Sequence, residues 1–205
     1  MSDVAIVDSG GANIASLRYA LDRLGASSEL TTDAASLRSA ARVILPGVGN
    51  ASDAMARLRA LQLDSVIRTL SQPVLGICLG MQLLFQASEE GGGDGATRCL
   101  GIIDATVHRM SGSRERPIPH MGWNRLQFAA NSPLLAGLDD GVHMYFVHGY
   151  AAPVGPWTQA TTVYGDAFTA VVAERNFLGT QFHPERSARG GSQLLANFLR
   201  LGRCA

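Results

Sequence analysis

The chain has 205 residues, 46% of them hydrophobic and 17% charged, and its 17 Lys+Arg balance its 17 Asp+Glu. That length suits a single domain, residues 1–205, large enough to bury a core without disulfide or metal staples. The zero formal charge argues against the broad basic face that a nucleic-acid backbone requires, and no Lys/Arg run offers a footprint for an anionic membrane.

The opening Met1-Ser2-Asp3-Val4 lacks a basic, apolar leader, and the most apolar segment, residues 73–85, is too short to span a bilayer. A soluble, cytoplasmic protein is expected. Cys78, Cys99 and Cys204 form no C-x-x-C pair, so neither a disulfide framework nor a cysteine-based zinc site is supported. No metal and no cofactor are expected.

In chain order, the apolar run at 4–7 reads as a strand, followed by a helix with Ile14, Leu17, Leu21 and Leu24 on one face and Gly25 at its stop. Residues 29–32 read as a second strand, Asp33 as the N-cap of a short helix, and 42–45 as a third strand closed by Pro46-Gly47. The stretch 52–70 reads as one helix with Met55, Leu58, Leu61, Val66, Ile67 and Leu70 on its buried face. Residues 74–77 are apolar throughout. Strands without alternation, joined by helices, predict a parallel sheet covered on both faces.

From about Gly101 the texture becomes β-rich, with strands expected within 102–110, 125–128, 142–150 and 160–173 as an antiparallel extension. A last strand at 177–182 leads to a closing helix with Leu194, Leu195, Phe198 and Leu199 as its buried stripe. The acidic, glycine-rich stretch 88–95 is expected as a surface loop.

Chemistry concentrates where strands end. Gly76-Ile77-Cys78-Leu79-Gly80 stands between a buried strand and a helix expected to run from Met81 to Phe85, in the form of a nucleophile elbow with cysteine as nucleophile. The helix N-terminus favours a thiolate at Cys78, and the Leu79 amide is a candidate oxyanion donor. The competing reading is a small buried cysteine in a tight turn. His183 closes an apolar strand and is followed by Pro184-Glu185; in extended chain, residues i and i+2 share a side, so His183 and Glu185 can serve one partner. His183 then acts as base and acid for Cys78, and Glu185 fixes its tautomer. Pro46-Gly47-Val48-Gly49 is a third strand end, offering the amide of Val48 or Gly47 as a second oxyanion donor.

Together, Pro46-Gly47-Val48-Gly49, Gly76-Ile77-Cys78-Leu79-Gly80-Met81-Gln82 and Gln181-Phe182-His183-Pro184-Glu185 resemble the three signature segments of class I (triad) glutamine amidotransferases, in the family's order and spacing. Further segments resemble the branch that serves imidazole glycerol phosphate synthase in histidine biosynthesis. These are residues 8–13, Glu89-Glu90-Gly91-Gly92, Pro119-His120-Met121-Gly122-Trp123-Asn124 and Tyr145-Phe146-Val147-His148. The resemblance implies a flavodoxin-like α/β fold with a central, mostly parallel sheet flanked by helices. It also implies hydrolysis of glutamine through a glutamyl thioester, and a heterodimer in which ammonia passes to a (β/α)₈-barrel cyclase subunit.

By the same carry-over, Gly49, Gln82, Gly149 and Tyr150 are expected to hold glutamine, and Asn13, Trp123, Tyr145 and Arg186 to lie at the subunit interface. Val48 is expected to turn its amide inward when the partner engages. Ser9, Ala12, Gly149 and Arg186 depart from the family's usual Tyr, Gly, hydroxyl residue and Lys. Two rival readings stay open: a triad amidotransferase feeding another synthase (anthranilate, aminodeoxychorismate, GMP or pyridoxal phosphate), and a flavodoxin-like redox or stress protein with no glutaminase activity. Cys99 and Cys204 match no motif, and His120 and His148 carry no assigned chemistry.

Overall fold

A computed structural model describes residues 2–9, 14–47, 49–91 and 95–202. The central sheet has the order β2-β1-β3-β4-β14-β13-β12-β9. Its first five members are β2 (Ser28–Thr31), β1 (Val4–Val7), β3 (Arg42–Leu45), β4 (Val74–Ile77) and β14 (Phe177–Thr180), all mutually parallel. The last three, β13 (Asp166–Glu174), β12 (Thr158–Tyr164) and β9 (Gln127–Phe128), continue it antiparallel. The expected extension is thus a hydrogen-bonded continuation of the same sheet.

The strands that read as uniformly apolar are those buried on both faces. Along β1, Val4 and Ile6 enter one apolar cluster with Leu17 and Leu21 of α1 (Ile14–Arg23) and Leu194, Leu195 and Phe198 of α6 (Ala188–Arg200). Ala5 and Val7 enter the opposite cluster with Leu37 of α2 (Ala34–Ser39), Met55 and Leu58 of α3 (Ala51–Ala60), and Val66 and Ile67 of α4 (Leu63–Arg68). The period-2 pleat sends successive side chains to opposite layers, so a strand covered on both sides loses its alternation.

Two expectations are corrected. The single helix over 52–70 is two helices, because Gln62 takes a left-handed conformation (φ 56°) that ends one and starts the other. Leu61 at that break is 40% exposed rather than part of the buried face. The helix expected over 81–85 is one turn, α5 (Leu79–Gln82), and Phe85 instead begins β5 (Phe85–Ser88). Phe85 is fully buried at the head of β5, and an apolar side chain there reads equally well as the end of a buried helix. The β-rich segment 160–173 is a hairpin of β12 and β13 turned at Gly165 (φ 82°).

Among the described residues, two small sheets stand beside the central one. One pairs β11 (Tyr150–Ala151), β7 (Ile103–Arg109), β5 and β6 (Thr97–Arg98). The other is the antiparallel pair β8 (His120–Arg125) and β10 (His143–His148). Among the described residues no helix is long and apolar enough to cross a membrane.

Candidate active site

The carboxyl ends of β3, β4 and β14 lie side by side, the edge at which open α/β sheets carry their sites. Cys78 follows β4 directly, with φ 54° and ψ −112°, a conformation that L residues seldom adopt. Two constraints hold it. Its N–H donates to the Thr180 carbonyl of β14 at 2.7 Å, and the turn is pressed against the end of β3, where a Cβ at Gly80 would collide with the Leu45 carbonyl. Glycine at position 80 is therefore a packing requirement of the elbow.

His183 lies on the adjacent strand's exit. The strand ends at Thr180, and Pro184–Arg186 form a 3-10 turn, so Glu185 meets His183 from a turn and not from the extended chain expected from i, i+2 geometry. The two side chains still pair: His183 Nδ1 lies 2.9 Å from Glu185 Oε1, with the side chains only 8% and 5% exposed. Burial alone pushes the His183 imidazole down. Its hydrogen bonds to Cys78 and Glu185, and the negative charge on those partners, outweigh that and hold it up to about 10. The thiol Sγ is 3.6 Å from the Val147 carbonyl and accepts from Gln181 Nε2 at 3.8 Å.

Around Cys78 opens a cavity of about 670 Å³ lined by His183 and by Gly47, Gly49, Leu79, Gln82, Gly149 and Tyr150, the last six being residues expected to hold substrate or its oxyanion. Glu185 stands behind His183 and is not part of that lining. Leu79 heads the one-turn helix α5, so its amide belongs to the open end of the turn. Gln82 Nε2 donates both to the Tyr150 carbonyl at 2.9 Å and to Gln181 Oε1 at 3.0 Å. Ser9 Oγ donates to the Pro46 carbonyl at 3.1 Å, bracing the exit of β3. Val48, Asn13, Ala12 and Cys204 lie outside the described residues.

Glu90 also lines the cavity, though the acidic stretch 88–95 was expected to be a surface loop. Its carboxylate accepts from the Ala51 amide at 3.1 Å, while burial raises its pKa above the usual carboxylate range. The neighbouring Glu89 faces outward onto His108 Nδ1 at 2.8 Å. Two adjacent acids divide between cavity and surface, which composition alone does not reveal. Cys99 is buried, its thiol pushed up to about 11 by desolvation, and it has the character of an inert core cysteine.

The pair β8 and β10 borders the cavity through Met121, Val147 and His148. Its outer face carries Met121 (64% exposed) and Trp123 (52%), with Tyr145 directly across from Trp123. Their rings meet edge to face at 5.9 Å, and the Arg186 guanidinium sits 4.6 Å above Tyr145. A planar guanidinium stacks on an aromatic face in a way that an ammonium does not, so the Arg for Lys departure has a local fit. β10 is clipped to the His183 turn by two hydrogen bonds, and a third closes the turn on itself. His183 N–H donates to the Tyr145 carbonyl at 2.9 Å, Tyr145 N–H to Ser187 Oγ at 2.9 Å, and Ser187 Oγ–H to the His183 carbonyl at 2.7 Å.

A cysteine held at positive φ at a strand end, a buried His–Glu pair beside it and a cavity before both form an arrangement that can support nucleophilic acyl transfer. The chain belongs to the class-I glutamine amidotransferase family, whose model matches residues 5–201. It is 53% identical over 201 residues, 98% of each chain, to the imidazole glycerol phosphate synthase subunit HisH of Xanthomonas axonopodis pv. citri (strain 306). It is 46% identical to the subunit of the same name from Shewanella oneidensis, over 97% of this chain and 96% of the relative. Among solved structures, a glutamine amidotransferase superposes with a TM-score of 0.73 at 21% identity, over 96% of this chain and 97% of that one. PurLQS from Thermotoga maritima gives 0.70 at 18%, over 97% and 98%. At those identities the likeness is one of fold.

Proposed function

We propose that this chain is the glutaminase subunit of an imidazole glycerol phosphate synthase, with Cys78, His183 and Glu185 as its triad. The observation that carries the reading is the buried 2.9 Å pairing of His183 with Glu185 beside a cysteine locked in an elbow. Full-length relatives that share one subunit name make another synthase, or a non-enzymatic redox role, the less favoured reading.

Cys78 attacks the side-chain amide carbon of glutamine as a thiolate, its proton held on His183. Negative charge then gathers on the amide oxygen, and the Leu79 amide, with Gly47 or Val48 opposite, stabilises it; one such donor is worth on the order of 10²–10³ in rate. Collapse breaks the C–N bond, His183 delivers its proton to the leaving nitrogen, and ammonia departs from a glutamyl thioester. Water adds to the thioester with His183 as base, releasing glutamate and regenerating the thiol. Glu185 keeps Nδ1 protonated, so Nε2 is the nitrogen that works. Gly49, Gln82, Gly149 and Tyr150 bind the substrate, and the Glu90 carboxylate in the wall matches the ammonium of a free amino acid.

The partner is a cyclase subunit that consumes the ammonia, in a heterodimer. Its docking face is the outer side of β8 and β10, where Trp123, Tyr145 and Arg186 form one aromatic and cationic cluster; Asn13 belongs to the same expected interface. The test is glutamate release from glutamine by this chain alone and with an imidazole glycerol phosphate synthase cyclase carrying its ligand. A low basal rate that rises strongly with the ligated partner and vanishes in Cys78→Ala supports the reading. Activity indifferent to that cyclase would move the chain to another synthase, and no activity in any condition would refute the glutaminase.

A further inference from the structure

Two histidines in the β8/β10 pair take no part in that chemistry, yet they are buried and directly opposed. His120 and His148 are a cross-strand pair, 3% and 6% exposed, with His120 Nδ1 3.0 Å from His148 Nε2. His148 Nδ1 is 2.9 Å from the Tyr150 carbonyl, which can only accept, so the proton sits on Nδ1. His148 Nε2 is then an acceptor and His120 Nδ1 must be its donor. His120 Nε2 is left to accept, and it faces Asn124 Nδ2 at 3.4 Å, an amide that also donates to the Val163 carbonyl at 3.0 Å. Every hydrogen bond in the series runs one way, from Asn124 to Tyr150, and each imidazole is neutral. Burial drives both rings in that direction, His120 to about 4 and His148 to about 3.

The series continues to the nucleophile. The Tyr150 carbonyl accepts from Gln82 Nε2, whose other hydrogen goes to Gln181 Oε1, and Gln181 Nε2 donates to Cys78 Sγ. Packing alone does not call for the histidines. His120 is stacked between Phe146 at 5.1 Å and Tyr164 at 4.1 Å, with Phe168 edge-on at 6.1 Å, a setting that accepts a phenyl ring. Buried imidazoles cost desolvation that a phenyl ring would not.

We propose that His120 and His148 are positioning residues for glutamine hydrolysis: a one-way imidazole pair that fixes the Tyr150 carbonyl and, through the Gln82 and Gln181 amides, sets the donor that meets the nucleophile. The assignment rests on the glutaminase reading above. It makes Asn124, one residue from Trp123 on the docking strand, the outer end of a continuous series that finishes at Sγ.

The test begins with the unmodified protein carrying ¹⁵N-histidine. Two-bond ¹H–¹⁵N correlations distinguish the tautomers, and both buried rings are expected as Nδ1–H near neutral pH; an Nε2–H signal from either overturns the series. In the full chain with its ligated cyclase, His148→Leu is expected to lower kcat about tenfold, a scale set by slight misplacement of reacting groups. The KM for glutamine should move by less than that, because the series ends on the nucleophile. His148→Asn restores an amide N–H where Nδ1–H stood and should recover most of kcat; a merely structural histidine gives no such ranking. Combining His148→Leu with Gln181→Met should cost no more than Gln181→Met alone, whereas full additivity means that the histidines do not act through Gln181. His120→Phe, which keeps the stack, should lower kcat with little change in melting temperature, and an unchanged kcat in a folded His120→Phe would end the proposal. If the unmodified complex releases no glutamate while the tautomers are as expected, the glutaminase reading fails and the hydrogen-bond series does not.

Discussion

The Cys78 side of the cavity and the strand pair that borders it are built on opposite rules. At the exits of β3, β4 and β14 the backbone does the positioning: Cys78 is forced to φ 54°, and Gly80 lies too close to the Leu45 carbonyl for any side chain. In β8 and β10 the side chains do it, alternating between an outer row of Met121, Trp123 and Tyr145 and an inner row of His120, Met144, Phe146 and His148. A backbone device tolerates almost no substitution but needs no partner, whereas a two-faced ribbon can be rebuilt residue by residue and can respond to what touches its outer face. The Tyr145–Ser187–His183 clip is where the two meet.

The largest effect should come from breaking the backbone side. Gly80→Ala pushes a methyl into a main-chain carbonyl that cannot move without dragging β3, and overpacking of this kind costs about 1–3 kcal/mol or more. We expect denaturant unfolding at a clearly lower midpoint and no measurable glutamine hydrolysis. A variant of wild-type stability would mean that the elbow is looser than its contacts imply.

Next is Glu185→Gln, which keeps the shape of the pair and removes its charge. Turnover should fall by about 10²–10⁴, the usual reach of general acid–base catalysis. The pair also has a pH signature. His183 titrates near 6.5 unfolded and is raised to about 10 in the fold, so its stabilising contribution is complete below pH 6.5 and disappears as pH rises through 10. In Glu185→Gln one of the causes of the raised value is gone, and the loss should finish at lower pH. His120 and His148 act at the other end of the scale. Their values of about 4 and about 3 mean that the unfolded chain takes up protons first, so stability should decline as pH falls from 6.5 toward those values. Melting temperatures across pH 3 to 11 for the wild type, Glu185→Gln and His120→Phe would separate the two limbs.

On the outer face the effect should be one of affinity. Trp123→Ala removes a large, half-exposed indole from the centre of the aromatic cluster, and anchors of this type cost about 2 kcal/mol or more when truncated, roughly thirtyfold in Kd. Titration calorimetry against the cyclase subunit is the measurement, and an unchanged Kd would move the docking face elsewhere.

The same division decides what could be read in advance. The parallel half is legible because burial on both faces leaves uniformly apolar strands, and because a strained turn leaves glycines at fixed offsets from Cys78. The break at Gln62 left no such mark: neither glycine nor proline stands there, and the apolar spacing carries across it. Phe85 is equally apolar as the end of a helix or the start of β5. Glu90 was hidden by its neighbours, since a Gly-rich acidic stretch reads as surface until the fold turns one carboxylate inward. The histidine pair needed the register of β8 against β10, which fixes residues 28 positions apart and is written in neither strand.

Gly149 gives the smallest expected effect and the finest test of the cavity wall. It lines the cavity at a position that the resemblance marks as a departure from a hydroxyl residue, and its φ lies outside the left-handed region, so a side chain brings no backbone strain. A Cβ there would stand 3.5 Å from Ile118 Cγ2, an ordinary contact. Gly149→Ser should therefore fold as the wild type does. If this wall holds the polar end of glutamine, the added hydroxyl contributes one hydrogen bond, about 0.5–1.5 kcal/mol, and KM for glutamine should drop roughly twofold to tenfold while kcat stays level. A KM that rises or does not move would mean that glutamine lies against the Glu90 side of the cavity, away from β11, and that Tyr150 serves only as the carbonyl on which Gln82 and His148 converge.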